Sequence, residues 1–147
     1  MQISSRFTVA LHVLACIAYF SKQQKVTSFF LANSVNTNAV IIRNILLQLK
    51  AAGLIRVDRG MGGAYLKRPA DEISLLEVYQ AIEPLEKGKL FRVHENPNKD
   101  CPVGRNIYEV LDGRLSAIQE VMELKLRSMS LADILSDLDD LAEEQKG

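Results

Sequence analysis

Four basic residues, Arg56, Arg59, Lys67 and Arg68, crowd around three glycines, Gly60, Gly62 and Gly63, in the stretch RGMGGAYLKR and its approach. Glycine beside positive charge suits two chemistries. One is a loop whose free amides cradle the phosphates of a nucleotide. The other is the turn of a basic β-hairpin lying against a nucleic-acid backbone. A dinucleotide fingerprint needs Gly-x-Gly-x-x-Gly between a strand and a helix, but here Gly62 is followed by Gly63, and Tyr stands at position 65. The residues that follow read as a strand, and the Walker pattern is absent. The hairpin reading needs no exceptions, because glycine supplies the positive φ of a tight tip.

The remaining reactive side chains are few. Cys101 precedes Pro102 at the start of an expected helix, where free N–H groups and the helix dipole lower a thiol pKa. Lys99 and Arg105 support that effect, and Asp100 opposes it. Cys101 is thus a candidate sensor of oxidants or electrophiles such as quinones, and an inert thiol at a helix start is the alternative. Cys16 sits inside an apolar stretch and reads as core. His12 and His94 lack metal-ligand spacing. There is no paired-carboxylate, Ser/His/Asp or Cys/His constellation, so no catalytic residue, metal site or enzyme activity is expected.

The elements that position these residues follow from periodicity and capping. Ser4 or Ser5 caps a buried helix to about Phe20, with Phe7, Leu11, Leu14 and Ala18 at helical spacing. Thr27 opens a short second helix that ends near Asn36, a residue tolerant of the left-handed conformation. A third helix, capped by Thr37 or Asn38, carries Ile42, Ile45, Leu46 and Leu49 as a core stripe and ends at Gly53. Leu54–Val57 and Ala64–Lys67 read as the strands of the hairpin, stopped by Pro69. Ser74 caps a helix to about Ile82, with Glu77 completing a capping box and Pro84 ending it. Glu86 to Asp100 reads as a loop turning at Asn96-Pro97-Asn98. A long helix starts at Pro102, and Ser130 caps a last one to about Leu141.

Three helices followed by a two-stranded hairpin is the order of a winged helix-turn-helix. The fold class is therefore mainly α with a small β-hairpin: a winged helix-turn-helix plus a long dimerisation helix. The expected organisation is 1–70 for DNA binding, 71–101 for a connecting helix and sensor loop, and 102–147 for the dimerisation and C-terminal helices.

Charge agrees with that order. The chain of 147 residues is neutral overall, yet Met1 to Ala70 carries nine basic residues against the single acid Asp58, a net of +8. The rest is acidic by the same amount. A basic front half implies a polyanionic partner. The core stripe of the third helix leaves Thr37, Val40, Arg43 and Asn44 facing outward, and Arg, Asn and Val suit guanine, adenine and a thymine methyl. Candidate DNA contacts are Thr27 and Ser28 on the second helix, Thr37, Asn38, Val40, Arg43 and Asn44 on the third, and Arg59, Gly60 and Gly62 on the wing. On the long helix, Ile107, Leu111, Leu115, Ile118, Met122 and Leu126 form an apolar face that asks for a partner surface, read as a two-fold dimer. The apolar run Phe7 to Phe20 is too short to span a bilayer, and no cleavage site follows it, so a cytoplasmic location with no membrane partner is expected.

The segments MQISSRFTVALHVLACIAYF, SVNTNAVIIRNILLQLKAAGLI, RGMGGAYLKRP, ISLLEVYQAIE and CPVG, in that order, resemble the BadM/IscR/NsrR/CymR (Rrf-type) family of bacterial winged-helix regulators. The resemblance implies a homodimer joined through the long helix and a pseudo-palindromic double-stranded operator, usually repressed. It implies that Asn38, Val40 and Arg43 lie on the recognition helix and Arg59 in the wing. Ala39 stands where close relatives often have Pro. Iron–sulfur members carry three cysteines before and into the long helix, whereas this chain has Cys101 alone, so no cluster and no other cofactor is expected. Control by a small ligand or a partner protein is the alternative to a thiol switch. A protein-binding winged-helix adaptor is the remote one, disfavoured by the basic third helix.

Overall fold

A computed structural model describes residues 3–60, 62–83, 85 and 88–146. The element order is α1 (Ser5–Phe20), α2 (Ser28–Val35), α3 (Ala39–Ala51), β1 (Ile55–Val57), β2 (Ala64–Leu66), a 3₁₀ turn (Ala70–Glu72), α4 (Leu75–Ile82), α5 (Pro102–Arg127) and α6 (Leu131–Lys146). The fold is mainly α with one antiparallel hairpin, as the periodicity predicts. The 3₁₀ turn was not expected.

Each helix start has a chemical cause. The Ser4 side chain accepts from the Arg6 amide, Thr27 from Phe30, and Asn38 from Val40. Ser74 and Glu77 form the reciprocal capping box. Helix α2 stops at Asn36, whose φ of 62° and ψ of 52° are left-handed. The Asn36 and Thr37 amides both return to the Ala32 carbonyl, and this tight reversal leads directly into α3. Gly53 ends α3 at φ 77°. Pro84, the expected stop of α4, and Glu86, the expected start of the loop, lie outside the described residues.

The core joins the front and back of the chain. Val13, Leu14 and Ile17 of α1, Leu31 of α2, Ile42, Ile45 and Leu49 of α3, and Ile73 and Val78 around α4 are buried together. Burying a side chain of this size is worth about 1.5–3 kcal/mol. Leu131 at the start of α6 is in the same cluster, and Leu135 packs on its edge. The Leu131 amide donates to the Ile73 carbonyl at 2.9 Å, and the Leu75 amide donates to Met129 at 2.9 Å. The C-terminal helix is thereby sewn onto the winged-helix body, and α5 packs on α4.

Candidate nucleic-acid interface

The buried stripe of α3 fixes which way its other residues point. With Ile42, Ile45, Leu46 and Leu49 inward, Val40, Arg43, Asn44 and Leu47 face solvent, and Val40 and Leu47 are 55% and 63% exposed. Thr27, Ser28 and Thr37 are half-buried beside this face, and Asn38 is exposed. Two of these candidates have structural duties. The Thr27 hydroxyl and the Asn38 side-chain oxygen, the latter 2.7 Å from the Val40 nitrogen, are spent as helix caps. The Asn38 amide nitrogen remains free to donate.

The wing is a three-pair hairpin, with Ile55 opposite Leu66, Arg56 opposite Tyr65, and Val57 opposite Ala64. Gly60 and Gly63 take φ values of 69° and 82°. At Gly62 a Cβ would fall 2.3 Å from that of Asp58, so the position has no room for a side chain. Met61 lies outside the described residues. The Ala64 amide donates to the Val26 carbonyl at 2.9 Å, which pins the wing to the loop between α1 and α2. Leu66 holds the hairpin to the body by packing on the core, whereas Tyr65 braces the hairpin itself, donating its O–H to the Gly62 carbonyl at 3.2 Å.

The four basic residues of the wing divide by partner. The Arg56 guanidinium lies 4.4 Å from the Tyr65 ring centroid and 3.7 Å from the Asp58 carboxylate. Arg68 is held by Glu77 of α4. Arg59 and Lys67 are exposed, and neither enters an ion pair among the described residues. The helix and the wing meet around a cleft of about 380 Å³ lined by Arg43, Leu46, Leu47, Lys50, Val57, Asp58 and Arg59. Arg43 and Arg59, distant in sequence, thus line one concavity. Lys50 belongs to it as well and was not singled out from sequence, although its seven-residue spacing from Arg43 could have shown it. No helix among the described residues is long and apolar enough to cross a membrane.

Residues 3–137 match the Rrf2 family model, whose description is iron-dependent transcriptional regulator. The chain belongs to the Rrf2 family. It is 44% identical over 136 residues to YwnA of Bacillus subtilis (strain 168), which carries the name of an HTH-type transcriptional regulator; the match spans 92% of this chain and 98% of that one. A crystal structure described as a DNA-binding protein shares 40% identity at a TM-score of 0.72, covering 89% of this chain and 99% of the other. A Lactobacillus plantarum structure described as a transcriptional regulator shares 26% identity at a TM-score of 0.78, covering 97% of each chain. As an Rrf2 protein this chain is a non-enzymatic, DNA-binding transcriptional regulator with a winged helix.

The Rrf2 description includes iron. Cys16 is buried in α1 and Cys101 is exposed at the start of α5. Among the described residues, no three His, Cys, Asp or Glu side chains gather closely enough to hold a metal ion.

Cys101 is the N-cap of α5, with Pro102 in the first helical turn. Its side chain closes no cap hydrogen bond, but the free amides of Gly104 and then Val103 favour the thiolate and lower its pKa below the ordinary value near 9.

The apolar face expected for dimerisation is divided. Ile107, Leu111, Leu115, Met122 and Leu126 are half-buried within the single chain, and only Ile118 of that set is open, at 55%. A different row is open along its length: Val103 at 67%, Val110 at 56%, Val121 at 67% and Leu124 at 54%. With Ile107 and Ala117, these positions alternate at spacings of three and four, the seam of a coiled coil. Arg114 is the polar exception in the row.

Proposed function

We propose that this regulator is a cytoplasmic homodimer that represses transcription from a pseudo-palindromic operator. The observation that carries the reading is the convergence of Arg43 on α3 and Arg59 on the wing around one cleft, with neither cation in an ion pair among the described residues. In the docked complex α3 enters the major groove with Val40, Arg43 and Asn44 against base edges. Arg59 and the wing amides at Gly60 and Gly62 meet the phosphate backbone, and Thr27, Ser28, Thr37 and Asn38 flank it. The row Val103, Ile107, Val110, Val121 and Leu124 on α5 supports a two-fold partner, which matches a two-fold operator. Operator binding by Arg43→Ala and Arg59→Ala tests the division of labour. Arg43→Ala loses discrimination at one base position by about 1–3 kcal/mol, and Arg59→Ala weakens all sequences alike and flattens the salt dependence.

The signal acts on Cys101. The thiolate adds to an electrophilic carbon, or attacks a peroxide to give the sulfenic acid with release of hydroxide. Either product changes the charge and bulk at the first turn of α5, beside the end of the seam, and DNA is released. No iron–sulfur cluster or other cofactor takes part. Cys101→Ser is expected to bind the operator normally and to ignore oxidant; a variant that still responds like the natural protein removes Cys101 from the mechanism, and a brown protein from anaerobic purification overturns the cluster-free reading.

A further inference from the structure

A second concavity, about 370 Å³, lies on α5 beneath the segment that precedes it. Phe91, Val93, Leu115 and the ring of Tyr108 make its apolar wall, and Lys89, Glu109, Asp112 and Ser116 supply its polar groups. A volume of this size suits a small organic molecule. The cleft sits away from the seam. At about 100° per residue, Tyr108, Asp112, Leu115 and Gln119 fall roughly half a turn from Val103, Val110, Val121 and Leu124, so a partner helix on the seam leaves the cleft open.

The polar groups decide the ligand's charge. The Lys89 ammonium is 2.7 Å from the Asp112 carboxylate and is already neutralised. Glu109 enters no ion pair among the described residues. Gln119 has no donor to spare. Its oxygen accepts from the Leu90 amide at 2.9 Å, and its nitrogen donates to the Gly88 carbonyl at 2.8 Å and to Glu123 at 2.9 Å. The site therefore offers two aromatic rings and a carboxylate that enters no ion pair among the described residues. An anion would have to displace Asp112 from Lys89, whereas a cation meets Glu109 directly and lies against aromatic faces.

We infer that this cleft binds a small aromatic cation, an organic amine or quaternary ammonium compound. The ligand seats its ring between Phe91 and Leu115 and turns its charge toward Glu109. The binding stands on the cleft alone and not on the regulator reading. Gln119, the Lys89–Asp112 pair and the Tyr108 hydroxyl donated to the His94 carbonyl fasten the 88–94 segment to α5 beside it.

The test uses the full chain without DNA, so a failure of operator binding leaves it unaffected. Benzyltrimethylammonium is titrated by calorimetry, with phenylacetate as the charge-reversed control. The cation is expected to bind once per chain and phenylacetate not at all. Glu109→Gln and Phe91→Ala should each weaken the cation about ten-fold or more. Glu109 makes no hydrogen bond among the described residues, so its variant carries the test if Phe91→Ala disturbs the fold. Absence of cation binding, equal or tighter binding of phenylacetate, or unchanged affinity in Glu109→Gln overturns the proposal.

Discussion

Gly63 lies against Val26 so closely that a Cβ on the glycine would come within 2.9 Å of the Val26 nitrogen. Its φ of 82° is itself unfavourable for any side chain. The close approach accompanies the amide of Ala64 donated to the Val26 carbonyl, which ties the wing to the body. Gly63→Ala is therefore expected to destabilise the protein by about 1–3 kcal/mol, measured by urea unfolding. A variant as stable as the natural protein would mean that the wing is not pinned at this point.

Asn38 holds two roles that substitution can separate. Alanine removes the cap on Val40 and should cost about 1 kcal/mol of stability. Aspartate keeps the cap and places a negative charge where DNA phosphates would approach. Asn38→Asp is expected to melt like the natural protein and to bind operator at least about ten-fold more weakly. Equal affinity would remove Asn38 from the interface.

The Arg68–Glu77 pair ties the wing to α4 and gives stability a pH dependence. Burial alone would raise the Glu77 pKa, but hydrogen bonds from Arg68 and Ser74, with the charge of Arg68, outweigh it and hold the carboxyl below its ordinary 4.5. A folded-state value below the unfolded one means the contribution is complete above about pH 4.5 and is lost as pH falls through the folded value. Both side chains are partly exposed, so the pair is screened. Glu77→Gln should lower stability at pH 7 by about 1 kcal/mol and flatten the acid limb of the stability curve. An acid limb unchanged in the variant would assign it to other carboxylates.

The exposed row on α5 gives the most direct handle on assembly. Val121→Glu buries a charge at the proposed seam and is expected to yield monomers in analytical ultracentrifugation, while Leu115→Ala, on the other face, leaves the dimer intact. The reverse pattern would move the interface to the half-buried face.

Most of the fold was legible because its boundaries are chemical. Thr27, Asn38, Ser74 and Glu77 cap helices wherever their side-chain oxygens can reach free amides, and Asn36 and Gly53 end them where the backbone turns left-handed. The α3 stripe was legible because a helix with one dry face has one period. Helix α5 was harder. Its apolar residues ring much of the circumference, and periodicity alone selected Leu111, Leu115 and Met122, which the chain itself half covers, over Val103, Val110 and Val121. Which apolar row is open depends on where the 88–100 segment lies, and no local pattern encodes that. The meeting of Arg43, Lys50 and Arg59 around one cleft depends likewise on the wing's anchorage at Val26.

The central claim is sequence-specific, two-fold recognition through α3 and the wing. Selection from a randomised duplex library by the full-length protein tests it most directly. The account predicts enrichment of a pseudo-palindromic motif, with half-sites separated by about one helical turn or a multiple of it, and loss of information at one position in each half when Arg43→Ala is selected instead. No enriched motif, a single asymmetric half-site, or an Arg43→Ala motif identical to that of the natural protein would contradict it.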